Sequence, residues 1–205
     1  MAENDAVVDP TLLTRAIAYA ARAHEGQVRK GSDIPYIVHP LEAVAVCATM
    51  TSDPVVLSAA VLHDVVEDTA ATIGDIRSEF GDRVAQIVAS ESEGKRADRP
   101  AADTWEERKQ EALGHLASTD DVDVLMVCLS DKLSNIRAMR RDLAEQGEAL
   151  WSRFNQKDPA KHAWYYGNIA RILRPRLGHT AAWQEFDALV RAVFGDAAAA
   201  EAAAR

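Results

Sequence analysis

Apolar residues recur every three or four positions along most of the chain, the spacing that gives a helix one buried face. The first such segment has its apolar face on Leu12, Leu13, Ala16, Ile17, Ala20 and Ala23. Strictly alternating segments and hairpin turn signals are missing from the sequence. The pattern therefore predicts an all-α protein in which many helices pack compactly.

Three Asp-Pro pairs predict where helices begin: Asp9-Pro10, Asp53-Pro54 and Asp158-Pro159. An aspartate before a helix accepts hydrogen bonds from backbone N–H groups of the first turn, and proline suits the first helical position. Further helix starts are predicted at Pro40, Thr72, Asp82, Thr104 (with Glu107 as its capping-box partner), Asp120-Asp121 and Thr180.

The length of 205 residues and the 48% hydrophobic content suit one domain with a real core. We predict a disordered N-terminus over 1–8, one domain over 9–194 and an Ala-rich tail over 195–205. The polar stretch 92–103 is predicted to be the longest loop. Cys47 and Cys128 lie in apolar helical patterns and are predicted to be buried free thiols.

The net charge of −9 argues against non-specific nucleic-acid binding, because such binding needs a basic surface. The acidic N-terminus has no apolar segment after it, and no stretch approaches the roughly 20 apolar residues that span a bilayer. We therefore expect a soluble cytoplasmic protein with no membrane partner, and homo-oligomerisation stays open.

Glycine-rich phosphate loops are missing, so a phosphate-bearing ligand would be held by side chains and a metal.

The segment 61–69 places His63, Asp64, Glu67 and Asp68 directly after an apolar run. If the segment is helical, Glu67 follows His63 by one turn and Asp68 follows Asp64 by one turn. Unpaired buried charges are costly, and a divalent metal offers an explanation for this cluster. The alternative is a His-Asp pair on the surface, which many proteins have.

Two further residues extend the metal hypothesis. His39 stands before Pro40 at a predicted helix start, where it is expected to leave helical geometry and point into a cleft. Asp131 lies in a long apolar helix. With His63 and Asp64 they form a mixed nitrogen and oxygen ligand set, which suits Mn²⁺, Fe²⁺ or Zn²⁺.

These four residues reproduce the H…HD…D signature, and the chain resembles the HD-domain metal-dependent phosphohydrolases. The segments around them are similar to the hydrolase domain of the RelA/SpoT family, which includes stand-alone small alarmone hydrolases. The similar segments are 23–31, 35–40, 63–69, 80–81 and 129–137. The resemblance implies that residues 9–194 form an HD-type phosphohydrolase domain.

The resemblance also implies roles for single residues. The four candidate ligands match those of one Mn²⁺ ion, and Glu67 with Asp68 matches a catalytic acidic pair that activates the attacking water. Arg29 and Lys30 match a basic pair that lies against a guanine nucleotide, and Asn135 matches an asparagine that contacts it. The implied reaction removes the 3′-pyrophosphate from guanosine tetra- or pentaphosphate, giving GDP or GTP and pyrophosphate.

Alternatives remain at several of these positions. Arg29 and Lys30 would otherwise be solvated loop residues, Glu67 and Asp68 would only orient His63, and Asn135 would be a packing amide. Two segments depart from the family: a Lys-Leu-Ala-Asp run is Cys-Leu-Ser-Asp at 128–131, and a Tyr-Ala-Pro-Leu segment is replaced at 161–166. The runner-up functions are an HD phosphohydrolase of another nucleotide and a non-catalytic nucleotide-binding module.

Overall fold

α-Helices follow one another along the chain in the computed structural model, which describes residues 11–92, 100 and 103–195. Within that part, β-structure is limited to one isolated bridge between Val28 and Pro35. The all-α prediction is therefore confirmed. The helices are α1 (Leu12–Ala23), α2 (Val38–Cys47), α3 (Pro54–Leu62), α4 (Val65–Asp68), α5 (Ile73–Phe80), α6 (Asp82–Glu91), α7 (Trp105–Ser118), α8 (Val122–Gln146), α9 (Pro159–Leu177) and α10 (Ala181–Phe194), with a 3-10 segment (Gly147–Arg153) between α8 and α9.

Side-chain caps begin several helices where the sequence predicts them. Asp53 accepts a hydrogen bond from the Val55 N–H at 2.8 Å, and Asp158 accepts one from the Ala160 N–H at 2.9 Å. In both helices proline takes the first position, where its missing N–H costs nothing. Side-chain caps are also present at Thr72, Asp121 and Thr180.

Other predicted starts need correction. Asp82 is the first residue of α6, and Gly81 precedes it with a φ of 90°, a conformation that glycine adopts without steric cost. Thr104 makes no side-chain capping bond. Its hydroxyl donates instead to the Pro100 carbonyl at 3.4 Å, so the predicted capping box is wrong. Asp9-Pro10, the segments 1–8 and 196–205, and most of the predicted loop 92–103 lie outside the described residues.

α2 begins two residues before Pro40, so His39 lies inside the helix and the expectation that it leaves helical geometry is wrong. The Val38 and His39 N–H groups donate to the carbonyls of Pro35 and Tyr36 at 3.2 and 3.0 Å. Pro40 is still in the first turn, where its ring breaks no helical hydrogen bond. His39 is buried, and the helix sets the direction of its imidazole.

α8 is the central helix of the domain. It packs against α2, α3, α6, α9 and α10, and almost all of its first half is buried. Cys47 in α2 and Cys128 in α8 are buried free thiols, as predicted. Among the described residues, none of the helices is both long enough and apolar enough to cross a membrane.

Candidate metal centre

Side chains from three parts of the chain converge beside α8. His39 comes from α2, His63 and Asp64 form the turn between α3 and α4, and Asp131 comes from α8. His63 and Asp64 thus follow α3 instead of lying inside it, which corrects the expectation of one continuous helix. The two imidazole Nε2 atoms are 3.3 Å apart.

Two carboxylate oxygens complete the group. Asp131 Oδ1 lies 3.1 Å from His39 Nε2 and 3.5 Å from His63 Nε2. Asp64 Oδ2 lies 3.3 Å from His39 Nε2 and 3.1 Å from His63 Nε2. Metal–ligand bonds of about 2.0–2.2 Å place neighbouring donors roughly 2.9–3.5 Å apart. These spacings therefore match donors that share one cation, and His39, His63 and Asp131 by themselves already form a metal-sized group.

Hydrogen bonds on the far side of each ring set the imidazole tautomers. His63 Nδ1 lies 2.8 Å from the Ala60 carbonyl, which only accepts, so Nδ1 carries the proton. His39 Nδ1 lies 2.8 Å from Ser134 Oγ, whose own proton is donated to Glu42 Oε2 at 2.8 Å. Ser134 must then accept from His39 Nδ1–H. In the neutral form of each ring, the Nε2 lone pair therefore faces the carboxylates, the orientation that metal-ligating histidines need.

The charges of the group are strongly coupled. Burial opposes every charged form, yet Asp64 and Asp131 outweigh it at His63 and raise the pKa of that imidazole well above its ordinary value. Burial is likewise outweighed at Asp64, where His63 and His39 hold the pKa well below its usual range. At Asp131 burial is outweighed by Lys132 and the two imidazoles, and the pKa is again well below normal. Both carboxylates stay ionised and attract positive charge to the centre.

Asp64 forms the open edge of the centre. Its side chain is 18% exposed, whereas the side chains of His39 and Asp131 are 2% and 6% exposed. At this edge the Tyr36 hydroxyl lies 2.6 Å from Asp64 Oδ2 and 2.9 Å from Asp68 Oδ2. Tyr36 thus links Asp68, at the end of α4, to the centre.

Glu67 lies in the same short helix as Asp68, and its side chain is half-buried. Both acids are therefore near the turn that carries two of the candidate ligands. The catalytic role predicted for this pair remains a prediction.

The loop between α1 and α2 brings one of its two predicted basic residues to the centre. Arg29 Nη2 donates to Asn135 Oδ1 at 2.8 Å, and Asn135 Nδ2 donates to Asp131 Oδ1 at 2.5 Å. Because arginine only donates, the amide orientation is set, and Asn135 connects the loop to a candidate ligand. Lys30 is directed elsewhere, toward Asn155 Oδ1 at 3.3 Å.

Several supporting residues had no sequence signal of their own. Tyr36 lies three residues before His39, and Ser134 lies three residues after Asp131, so proximity to predicted ligands was the available clue. Glu42 and Lys132 complete this group: Lys132 forms an ion pair with Asp131, and Glu42 accepts the Ser134 proton.

The residues that depart from the family pattern, Cys128, Ser130 and those at 161–166, lie outside the donor group. The Ser130 hydroxyl donates to the Met126 carbonyl of its own helix at 2.7 Å. Lys161 forms an exposed ion pair with Glu106 at 2.9 Å, and Trp164 packs against the hydrophobic core. These changes leave the candidate ligands intact.

A family profile described as HD domain matches residues 16–160, well over half of the chain. This chain belongs to the HD domain family. Its candidate ligands all lie within the matched range, and they include the adjacent His63 and Asp64.

Curated relatives of this chain include several much longer proteins. The chain is 38% identical over 141 residues to a "GTP pyrophosphokinase" of Streptomyces coelicolor, covering 67% of this chain and 16% of that protein. It is 36% identical over 150 residues to the "Bifunctional (p)ppGpp synthase/hydrolase SpoT" of Escherichia coli, covering 68% of this chain and 21% of that protein. The chain therefore spans only about a fifth of the length of these relatives.

Two solved structures share the fold over most of this chain. One is described as a metazoan ortholog of SpoT that hydrolyzes ppGpp and plays a role in starvation responses; it matches with a TM-score of 0.70 and 25% identity over 91% of this chain and 97% of that one. Another is lmo0812 of Listeria monocytogenes EGD-e, with a TM-score of 0.66 and 30% identity over 78% of this chain and 96% of that one.

Proposed function

We propose that this protein is a Mn²⁺-dependent pyrophosphohydrolase that removes the 3′-pyrophosphate from guanosine 3′,5′-bis(diphosphate) or its pentaphosphate. The products are GDP or GTP and pyrophosphate. The observation that carries the proposal is the convergence of two imidazole Nε2 atoms and two carboxylates. The similarity to SpoT-type proteins supports the choice of substrate.

The donor set fits a divalent cation. Two nitrogen and two oxygen donors suit Mn²⁺, whereas Mg²⁺ prefers more oxygen and thiolate-selective metals have no ligand here. His39, His63, Asp64 and Asp131 would hold the ion, with Asp64 at the open edge. A cation in this position lowers the pKa of water and polarises a phosphoryl oxygen.

Other side chains would transfer protons and neutralise the charge of the substrate. A water oxygen forms a bond to the phosphorus attached to the ribose 3′-oxygen, and the P–O3′ bond breaks. Glu67 or Asp68 takes one proton from the water and later releases it to solvent, and the 3′-oxygen leaves as a hydroxyl with a proton supplied by solvent. Arg29, with Lys30 beside it in the loop, offsets the negative charge of the nucleotide. Asn135 positions Arg29 by accepting its hydrogen bond while donating one to Asp131.

A nucleotide panel tests the proposal. The purified protein is incubated with Mn²⁺ and each nucleotide, and products are identified by chromatography. We expect GDP and pyrophosphate from the 3′,5′-bis(diphosphate), with no release when a chelator removes the metal or when Asp64→Ala replaces the wild type. Release only from other nucleotides would reassign the substrate, and binding without release from any of them would indicate a non-catalytic module.

A further inference from the structure

Tyr36 places one hydroxyl between two carboxylates that have different proposed roles. The oxygen lies 2.6 Å from Asp64, a proposed metal ligand, and 2.9 Å from Asp68, a proposed catalytic carboxylate. We propose that Tyr36 is a positioning residue, which holds the Asp68 carboxylate at the open edge of the metal centre. The inference rests on the proposed function, to which it adds a residue.

A phenol has one proton, so the Tyr36 hydroxyl donates fully to only one of its two carboxylate neighbours. The Asp64 oxygen that it contacts is Oδ2, the atom that also faces the Nε2 atoms of His39 and His63. With a cation at that oxygen, Asp64 becomes the weaker acceptor and Asp68 the stronger one. The Tyr36 proton is then directed to Asp68 in the metal-loaded protein.

The aromatic ring of Tyr36 is held on several sides. Its centroid lies 4.7 Å from that of His24 at an interplanar angle of 32°, and 6.0 Å from that of His39 at 83°. The Arg29 guanidinium carbon lies 5.6 Å from the ring centroid. Because these contacts confine the ring, they also restrict the position of its hydroxyl, which the Asp68 carboxylate contacts.

Asp68 is held by separate contacts at its backbone and at its carboxylate. It is the last residue of α4, which has only four residues, and it lies at an exposed edge. Its backbone is tied by Gln27, whose Nε2 donates to the Asp68 carbonyl at 2.9 Å. Gln27 Oε1 in turn accepts from Nδ1 of His24 at 2.8 Å, so the residue that stacks on Tyr36 also secures the Asp68 backbone. The Asp68 carboxylate itself is held by the Tyr36 hydroxyl.

The kinetic test compares Tyr36→Phe, Asp68→Asn and the double variant. A carboxylate displaced by about 1 Å costs on the order of 10²-fold in rate, so Tyr36→Phe should lower kcat roughly 10–100-fold and change KM by less than about threefold. Because the hydroxyl acts through Asp68, adding Tyr36→Phe to Asp68→Asn should change kcat by less than about twofold. An unchanged kcat in Tyr36→Phe, losses that multiply in the double variant, or a change confined to KM would overturn the inference.

Tyr19→Phe is the matched control. It also removes one phenolic hydroxyl, but Tyr19 lies on α1 and packs edge-on against Phe80, with ring centroids 5.4 Å apart. We expect wild-type kcat in this variant. A loss equal to that of Tyr36→Phe would mean that hydroxyl removal acts through general stability, which would overturn the positioning role.

A crystal structure of Mn²⁺-loaded Tyr36→Phe gives a readout that needs no turnover. We expect one bound ion and an unmoved Asp64, while the Asp68 carboxylate shifts by about 1 Å or more from its wild-type position. An Asp68 carboxylate that superposes on the wild type would overturn the inference even if the wild type is an active hydrolase. If the wild type hydrolyses no nucleotide, the proposed function fails, and this comparison still decides whether Tyr36 positions Asp68.

Discussion

The metal centre and the loop 27–36 beside it are built in different ways. The centre is enclosed by packed helices, and its donors are oriented by buried hydrogen bonds such as the one from His39 Nδ1 to Ser134. The loop has one β-bridge, exposes Val28 and Ile34, and reaches the centre through polar contacts of Arg29 and Tyr36. The candidate metal ligands thus belong to the helical framework, whereas the proposed substrate contact and the proposed placement of Asp68 depend on an attached loop.

Removing a carboxylate ligand tests the framework most severely. Asp64→Ala takes away a donor that lies within 3.3 Å of both imidazoles, so bound Mn²⁺ and turnover should be lost together. Metal analysis after gel filtration and pyrophosphate release measure the two losses. Stoichiometric metal in the variant would contradict the assignment of Asp64 as a ligand.

Glu67→Gln should separate chemistry from metal binding. The amide cannot take a proton, so the rate should fall by roughly 10²–10⁴ if Glu67 acts as the general base, while metal content stays at the wild-type level. Steady-state kinetics with saturating Mn²⁺ measures the loss. A wild-type rate would return Glu67 to a supporting role and leave Asp68 as the candidate base.

Ser134→Ala should lower the affinity of the centre for Mn²⁺ without removing a proposed ligand. It takes away the acceptor that sets the His39 tautomer, and loss of such a partner costs about 10–100-fold in metal affinity. Titration calorimetry with Mn²⁺ measures the change. The control is Ser58→Ala in α3, because the buried Ser58 hydroxyl has no hydrogen-bond partner among the described residues. Equal affinities for the two variants would count against the tautomer argument.

Arg29→Met should weaken substrate binding and leave metal binding unchanged. A charge-assisted contact with the nucleotide is worth enough to raise KM by about 10–100-fold, while the bound metal remains stoichiometric. Lys30→Met is the matched comparison and should have the smaller effect, because Lys30 is directed toward Asn155. A larger rise in KM for Lys30→Met would reverse the assignment of these two residues.

Much of the framework was predictable because its signals are local. Asp53-Pro54 and Asp158-Pro159 begin helices through contacts within two residues, and the apolar period sets which faces are buried. The start of α2 was missed because the Val38 and His39 N–H groups bond to carbonyls of the preceding loop. The start of α7 after Thr104 was predicted correctly, but the capping bond was not, because the Thr104 hydroxyl reaches back to Pro100 instead of forward into α7.

The sequence by itself determined the all-α class and most helix starts, because periodicity and caps are carried by neighbouring residues. It also pointed to four candidate ligands through the H…HD…D signature. Only the tertiary structure decided which way the imidazoles face, that Arg29 reaches Asp131 through Asn135, and that Tyr36 joins Asp64 to Asp68. Most of these contacts join residues from different elements, and Arg29 and Asn135 are 106 positions apart in the sequence. Their geometry depends on how the helices and the loop pack, which no local pattern specifies.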